Sequence, residues 1–107
     1  MKRVLLDHCV PRRVGQALPD CEVSTAFQRG WAELTNGALL NAAEDAGFEV
    51  LVTADKNLKY QQKRLARRIA IVELPTNSLP DLLPKFGAIA EAVGSIRPGD
   101  YKQLVFP

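Results

Sequence analysis

The sequence predicts an α/β fold in which a mainly parallel sheet is covered by helices. Three observations lead there. Segments rich in apolar and β-branched residues alternate with segments of helical periodicity, in the order β-α-β-α-β-α-β. The first strand segment, Val4-Leu5-Leu6, is an apolar run without alternation, as expected of a strand covered on both faces, and Ile69 to Leu74 is another apolar, β-branched run. The connections are short and the helical stretches run to about ten residues, and parallel neighbours need crossover connections of this kind.

Arg3-Val4-Leu5-Leu6 is the first strand, stopped by Asp7 and followed by His8-Cys9-Val10-Pro11. Pro11 suits the first turn of a helix over Arg12 to Leu18, where a missing N–H costs nothing. A turn at Pro19-Asp20 leads into a second strand, Glu22 to Phe27, enriched in strand formers. The polar loop Gln28 to Thr35 holds the only tryptophan, Trp31. Asn36 is the expected cap of a helix over Gly37 to Ala46, in which Leu39, Leu40 and Ala43 share a face and Gly47 supplies the left-handed stop. Phe48 to Thr53 is the clearest strand and runs into Ala54-Asp55. Asn57 is the expected cap of a basic helix through Tyr60 to Arg68, and Ile69 to Leu74 is a further strand. Beyond Pro75, Pro80 and Pro84, the stripe Phe86, Ile89, Ala90 and Val93 predicts an amphipathic helix. Arg97-Pro98-Gly99-Asp100 then turns into a last strand, Tyr101 to Phe106. No repeat or low-complexity linker interrupts this order. Residues 1–107 therefore read as one domain, with a C-terminal helix and short strand at 78–107.

Composition agrees with a single globular unit. The 107 residues are 47% hydrophobic and 24% charged, and 14 Lys plus Arg against 12 Asp plus Glu leave a formal charge of only +2. That balance argues against disorder and against nucleic-acid binding driven by bulk positive charge, so any basic surface must be local. The apolar runs fall far short of the roughly 20 residues that span a bilayer, and the start MKRVLLDHC meets Asp and His before a signal-peptide core forms. A cytoplasmic protein with no membrane partner is expected. Cys9 and Cys21 have no CxxC spacing, which excludes a four-thiolate metal site, and two buried reduced thiols are expected.

In an open parallel sheet, ligands bind beyond the carboxyl ends of the strands, where the following helices present their amino ends. Asp7 and Asp55 each end an apolar strand, so if those strands are neighbours their carboxylates share one rim within reach of a divalent ion. Short acids also cap loops after strands, and that is the structural alternative for each. Asn36 and Asn57, at helix starts, belong to the same rim. Glu44 and Asp45 lie over two turns along their helix, roughly 12 Å away at 1.5 Å per residue, and make poor ligands. Glu33 lies in a loop on the correct side, where a solvated acid is the simpler account. His8 adjoins the acidic pair and titrates near neutrality, which suits a phosphate contact as well as a structural hydrogen bond.

The basic residues fall into two groups: Arg12-Arg13, and Lys56, Lys59, Lys63, Arg64, Arg67 and Arg68. Lys56, Lys59, Lys63 and Arg67 recur at three- and four-residue spacing and make one positive ribbon, with Tyr60 beside it. A solvated helix face has the same pattern. The ribbon begins beside Asp55, however, and single-stranded nucleic acid held there would bring its backbone to the acidic rim.

Val4-Leu5-Leu6-Asp7-His8-Cys9-Val10-Pro11, Asn36-Gly37-Ala38-Leu39-Leu40 and Val50-Leu51-Val52-Thr53-Ala54-Asp55-Lys56-Asn57-Leu58 together resemble the small PIN-like proteins. These are relatives of the PIN-domain ribonucleases, which often act as toxins in bacterial toxin–antitoxin pairs. The resemblance covers roughly residues 3 to 74. It implies a three-layer α/β/α sandwich and an acidic cluster that holds Mg2+ or Mn2+ for hydrolysis of RNA. By motif match Asp7 is similar to the first acid of that cluster and Asp55 to a later one. Asn36 and Asn57 stand where many relatives carry acids, and amide oxygens ligate a hard cation without neutralising it.

Two functions are expected on this basis. The first is metal-dependent RNA hydrolysis, with Asp7 and Asp55 as metal ligands and Asn36 and Asn57 completing the catalytic group. His8, Arg12, Arg13, Lys56, Lys59, Tyr60 and Lys63 are then the substrate contacts. The second is an inactive PIN-like module that binds RNA or protein without cutting, its partners including a cognate antitoxin or a second copy of the chain. A phosphoacceptor domain ranks below both, because Asp7 lacks a neighbouring second acid and no suitable Lys follows a later strand.

Overall fold

The predicted strand segments become five parallel strands: β1 Arg3–Leu6, β2 Glu22–Thr25, β3 Val50–Thr53, β4 Ala70–Glu73 and β5 Tyr101–Gln103. The computed structural model describes residues 1–34, 36–58 and 68–106, with Asn36 described by its backbone alone. One sheet contains all five strands, in the order β2-β1-β3-β4-β5. Every pairing is parallel, with Leu5 opposite Ser24 on one side and Leu51 on the other, and Leu51 opposite Ile71.

Side-chain alternation sorts the sheet into two faces, each with its own core. Val4, Leu6, Val50, Val52, Ala70 and Val72 share a cluster with Val14 and Ala17 of a 3-10 helix, Arg12–Ala17. The same cluster takes Leu82 of the short helix α2, Leu79–Leu82, and Ile89, Ala92 and Val93 of α3, Phe86–Ser95. Leu5, Leu51 and Ile71 pack on the opposite face with Leu39, Leu40 and Ala43 of α1, Asn36–Asp45, and with Phe48, Leu58 and Ile69. Helices therefore cover both faces of an all-parallel sheet. β1, β3 and β4 are almost wholly buried because they have a strand on each side and a core on each face.

The connections step in two directions. β1 leads outward to β2 through the 3-10 helix, and β2 returns across β1 to β3 through α1 on the other face. These two crossovers have the same hand. The connection from β4 to β5 continues in the direction of β2 to β3, yet α3 lies on the face of the 3-10 helix. Its hand is thus opposite to that of the first two, a minority arrangement among parallel crossovers. β5 is correspondingly slight, with three residues and only Tyr101 packed against a core.

Several boundaries differ from the sequence expectation. Arg12 to Leu18 forms a 3-10 rather than an α-helix: only seven residues separate Pro11 from Pro19, and Leu18 N–H closes the segment on Gly15 C=O at 3.0 Å. β2 stops at Thr25, not Phe27, because the chain turns there. Thr25 N–H donates to Gln28 Oε1 at 2.9 Å and Gln28 N–H to Thr25 Oγ1 at 3.0 Å. Phe48 is the end of the α1 stop, not strand. Its N–H donates to Ala43 C=O and that of Gly47 to Glu44 C=O, with Gly47 in the left-handed region at φ 86°. The last strand ends at Gln103, not Phe106, since its partner β4 ends opposite it at Glu73. Cys9 and Cys21 are free thiols, but both are half-buried rather than buried. The predicted helix through Tyr60 to Arg68 lies almost entirely outside the described residues.

Candidate functional site

β1 and β3 are neighbours, so Asp7 and Asp55 emerge at the carboxyl ends of adjacent strands. Between these two strands the chain reverses its order of travel across the sheet. A parallel α/β sheet opens a crevice at such a point, because the connections leave on opposite faces. Asp7, His8, Cys9, Ala54 and Asp55, with Pro75, Thr76 and Asn77 after β4, line a cleft of 540 Å3 there. The β2 side of Asp7 and His8 borders a second cavity of 890 Å3, lined in part by Arg12, Arg13, Thr25 and Phe27.

Asp7 is 3% exposed and held at both ends. Its Oδ1 accepts from the His8 N–H at 2.7 Å, and His8 Nδ1 lies 2.8 Å from the same oxygen. A carboxylate only accepts, so Nδ1 carries the proton in this contact. Asp7 Oδ2 accepts from Thr53 Oγ1 at 2.8 Å. The backbone is anchored as well, with Asp7 N–H on Val52 C=O and Val10 N–H on Asp7 C=O, both at 2.9 Å. The carboxylate is therefore oriented before any ligand arrives.

Thr53, wholly buried at the end of β3, ties this group to Asp55. While its hydroxyl donates to Asp7, it accepts from the Asp55 N–H at 3.0 Å, and Cys9 Sγ lies 3.9 Å away. Asp55 Oδ1 accepts from the Asn57 N–H at 2.9 Å. The Asn57 N–H is thus a donor to Asp55, and the helix that Asn57 is expected to cap lies almost entirely outside the described residues. Asp55 thus does act as a loop acid through Oδ1, on the rim of an open cleft. Burial pushes the Cys9 thiol above its ordinary value, and the neighbouring charge of Asp7 adds to the effect.

The other predicted residues divide. Asn36 opens α1, whose amino end lies at this rim because the helix runs back from the carboxyl end of β2 to the start of β3; its side chain is outside the described residues. Lys56 and Asn57 are exposed beside Asp55, and Arg12 and Arg13 are exposed on the β2 side. Lys59, Tyr60 and Lys63 lie outside the described residues, and so does most of the positive ribbon they belong to. Glu44 is at the opposite end of the sheet, where its Oε1 accepts from the Arg68 N–H at 2.9 Å.

Three further residues at this end of the sheet carry little signal in the sequence. Thr53 resembles any β-branched strand residue, although a hydroxyl closing an apolar run is the trace it leaves. Glu73 sits inside the run Ile69 to Leu74. It is 1% exposed opposite Thr53, receives the Tyr101 hydroxyl on Oε1, and has no hydrogen-bond partner for Oε2 among the described residues. Phe27, expected as the last residue of a strand, is instead 79% exposed on the turn that borders the larger cavity.

Among the described residues no group of three or more His, Cys, Asp and Glu side chains is placed to hold a metal ion. An all-protein cage is not what magnesium uses, however: it is commonly bound by one or two carboxylates, retained waters and substrate phosphates. Asp7 and Asp55 supply two carboxylates to the lining of one cleft. Among the described residues no helix is long and apolar enough to cross a membrane. Comparison of the chain with family models, with curated proteins and with solved structures returns no match.

Proposed function

We propose that this chain is a small PIN-like ribonuclease that hydrolyses RNA phosphodiester bonds with a divalent metal ion. The observation that carries the reading is the meeting of Asp7 and Asp55 on one cleft at the strand-order reversal between β1 and β3. Asp7 and Asp55 would hold Mg2+ or Mn2+, hard cations suited to oxygen ligands. Such an ion, when bound, supplies a Lewis acid for the phosphoryl oxygen and a water of lowered pKa. The chain's own groups do the rest. Thr53 and His8 fix the Asp7 carboxylate, Asn57 would offer a neutral polar group to the metal or a phosphate, the role the sequence also suggests for Asn36, and His8 and Lys56 stand beside the cleft to contact the substrate. A cytoplasmic toxin of a toxin–antitoxin pair is the setting that the resemblance to PIN-like proteins suggests, with a cognate antitoxin as its protein partner.

Titration of magnesium against RNA cleavage tests the assignment in wild type, Asp7→Asn and Asp55→Asn. The expected outcome is metal-dependent cleavage that falls about 100-fold or more in either variant, the scale of losing a metal ligand. Equal activity in all three proteins would sink it.

The second reading, a module that binds RNA or a protein partner without cutting, is favoured by one observation: both Asp7 oxygens already accept hydrogen bonds. Tight RNA binding in chelator with no cleavage at any metal concentration would select it. Native mass measurement in the same buffer would reveal a homodimer.

A further inference from the structure

The cavity on the β2 side of Asp7 has a composition that the catalytic reading alone does not require. Phe27 is among the residues lining it, 79% exposed, on a turn tied by several hydrogen bonds of its own. Thr25 and Gln28 bond each other reciprocally, Gly30 N–H donates to Phe27 C=O at 3.0 Å, and Trp31 N–H to Ala26 C=O at 2.8 Å. The preceding Ala26 is fully buried, its N–H on Leu6 C=O at 2.9 Å. A large apolar ring is thus held out to solvent by a fixed backbone. Across the same cavity lie Arg12 and Arg13, both exposed and without an acidic partner among the described residues. Asp7 and His8 line both this cavity and the cleft that contains Asp55, so the candidate metal ligand borders both spaces.

An aromatic face on a rigid support, exposed guanidinium groups and an adjoining acidic rim are the parts of a single-strand nucleic-acid track. Bases stack on the ring and phosphates meet the cations. We infer that this groove binds the nucleotides adjoining the scissile phosphate of a single-stranded RNA, with a base stacked on Phe27 and backbone phosphates on Arg12 and Arg13. The inference rests on the ribonuclease reading for the position of the scissile bond, but not for binding itself. The charge of the two arginines favours a polyanion over an apolar protein segment as the occupant. Phe27 is a binding residue here and takes no part in the chemistry.

The test is binding of a fluorescently labelled uridine decamer to the full chain in EDTA, read by anisotropy, with thermal melts to check that each variant is folded. Phe27→Ala is expected to weaken binding roughly tenfold, the effect of removing one base stack, while Phe27→Trp retains or strengthens it. The Arg12→Ala, Arg13→Ala double variant is expected to weaken binding and to flatten the dependence of log affinity on log salt by about 1.4, at roughly 0.7 for each phosphate no longer neutralised. Phe27→Ala and the double arginine variant both binding like wild type would overturn the proposal. So would a Phe27→Ala variant whose only change is loss of self-association in sedimentation, which would mark the ring as a contact between protein chains. The two readings fail separately. Weakened binding by Phe27→Ala alongside cleavage untouched by Asp7→Asn leaves the groove standing and removes the metal site, and the converse removes the groove alone.

Discussion

Both ends of the sheet carry charged groups, and they use them differently. At the amino end, charge is directed mainly at the backbone, and Arg3 Nε also lies 3.7 Å from Glu22 Oε2. Lys2 Nζ donates to the carbonyls of Val93, Gly94 and Ile96 at 2.8, 3.1 and 2.9 Å, closing the carboxyl end of α3. Arg3 donates to Ala46 C=O at the end of α1, its guanidinium 4.6 Å from the Phe48 ring centre, while its own N–H reaches Glu49 Oε2 at 3.0 Å. At the carboxyl end, Arg12, Arg13 and Lys56 have no acidic partner among the described residues, and His8 and Asp55 line open cavities. A charge already coordinated by a helix terminus is structural. One left facing a cavity is available to a ligand, and the partner of each group separates the cases better than its charge does.

Thr53 is the sharpest test of that division, because it stands at the functional end yet is fully buried. Thr53→Val keeps the shape but strands an acceptor on Asp7 and a donor on Asp55. A loss of about 2–3 kcal/mol in urea unfolding is expected, at the upper end of what unsatisfied buried groups cost. Thr53→Ser, which keeps the hydroxyl, should recover most of it. A valine variant as stable as wild type would show that the hydroxyl is not the link between the two carboxylates.

Lys2→Met tests the amino end. Three carbonyls at a helix carboxyl terminus would lose their cation, and a stability loss of about 1–2 kcal/mol is expected, the range for a partly buried charge at a helix end. RNA affinity and any cleavage should be unchanged in the same preparation. A variant that keeps its stability but loses RNA binding would reverse the assignment of the two ends.

The smallest effect concerns Cys9. Its raised pKa means that the folded protein keeps the thiol proton through the ordinary thiol range, while the unfolded chain begins to ionise. The stability this contributes is therefore present below the unfolded thiol pKa and declines as pH rises through the folded value. Cys21 is also raised, chiefly by burial, so the measurement is made in a Cys21→Ser background. Iodoacetamide should alkylate Cys9 more slowly than a free cysteine peptide near pH 8.5 and approach it at higher pH. Reaction at the peptide's rate throughout would contradict burial of the thiol.

Much of this organisation is legible in the residues. The apolar runs ending in Asp7 and in Thr53-Ala54-Asp55 mark strands buried on both faces, and acids placed directly after such runs belong at the carboxyl rim. Gly47 marks the end of α1, and the stripe Ile89 and Val93 marks the buried side of α3. Glu73 illustrates the limit. Its burial inside an apolar run leaves no local mark, because the Tyr101 hydroxyl that donates to it comes from 28 positions further along the chain. Thr53 is obscure for the same reason, its partner lying 46 residues away. The exposure of Phe27 departs from the strand expectation because the turn that presents it depends on a side-chain to backbone exchange between Thr25 and Gln28, which strand propensity does not register.

The sequence by itself determined the fold class, the strand cores and the two acids placed to share a rim, since these follow from local periodicity and from which residues end each apolar run. Only the tertiary structure decided that β1 and β3 are neighbours, that Thr53 bridges Asp7 to the Asp55 backbone, and that Phe27 and two arginines border one groove. It also put α3 on the face that gives the last crossover its opposite hand. Strand order, hydrogen bonds between distant residues and the face a connection crosses are properties of packing, and packing is set by the whole chain at once.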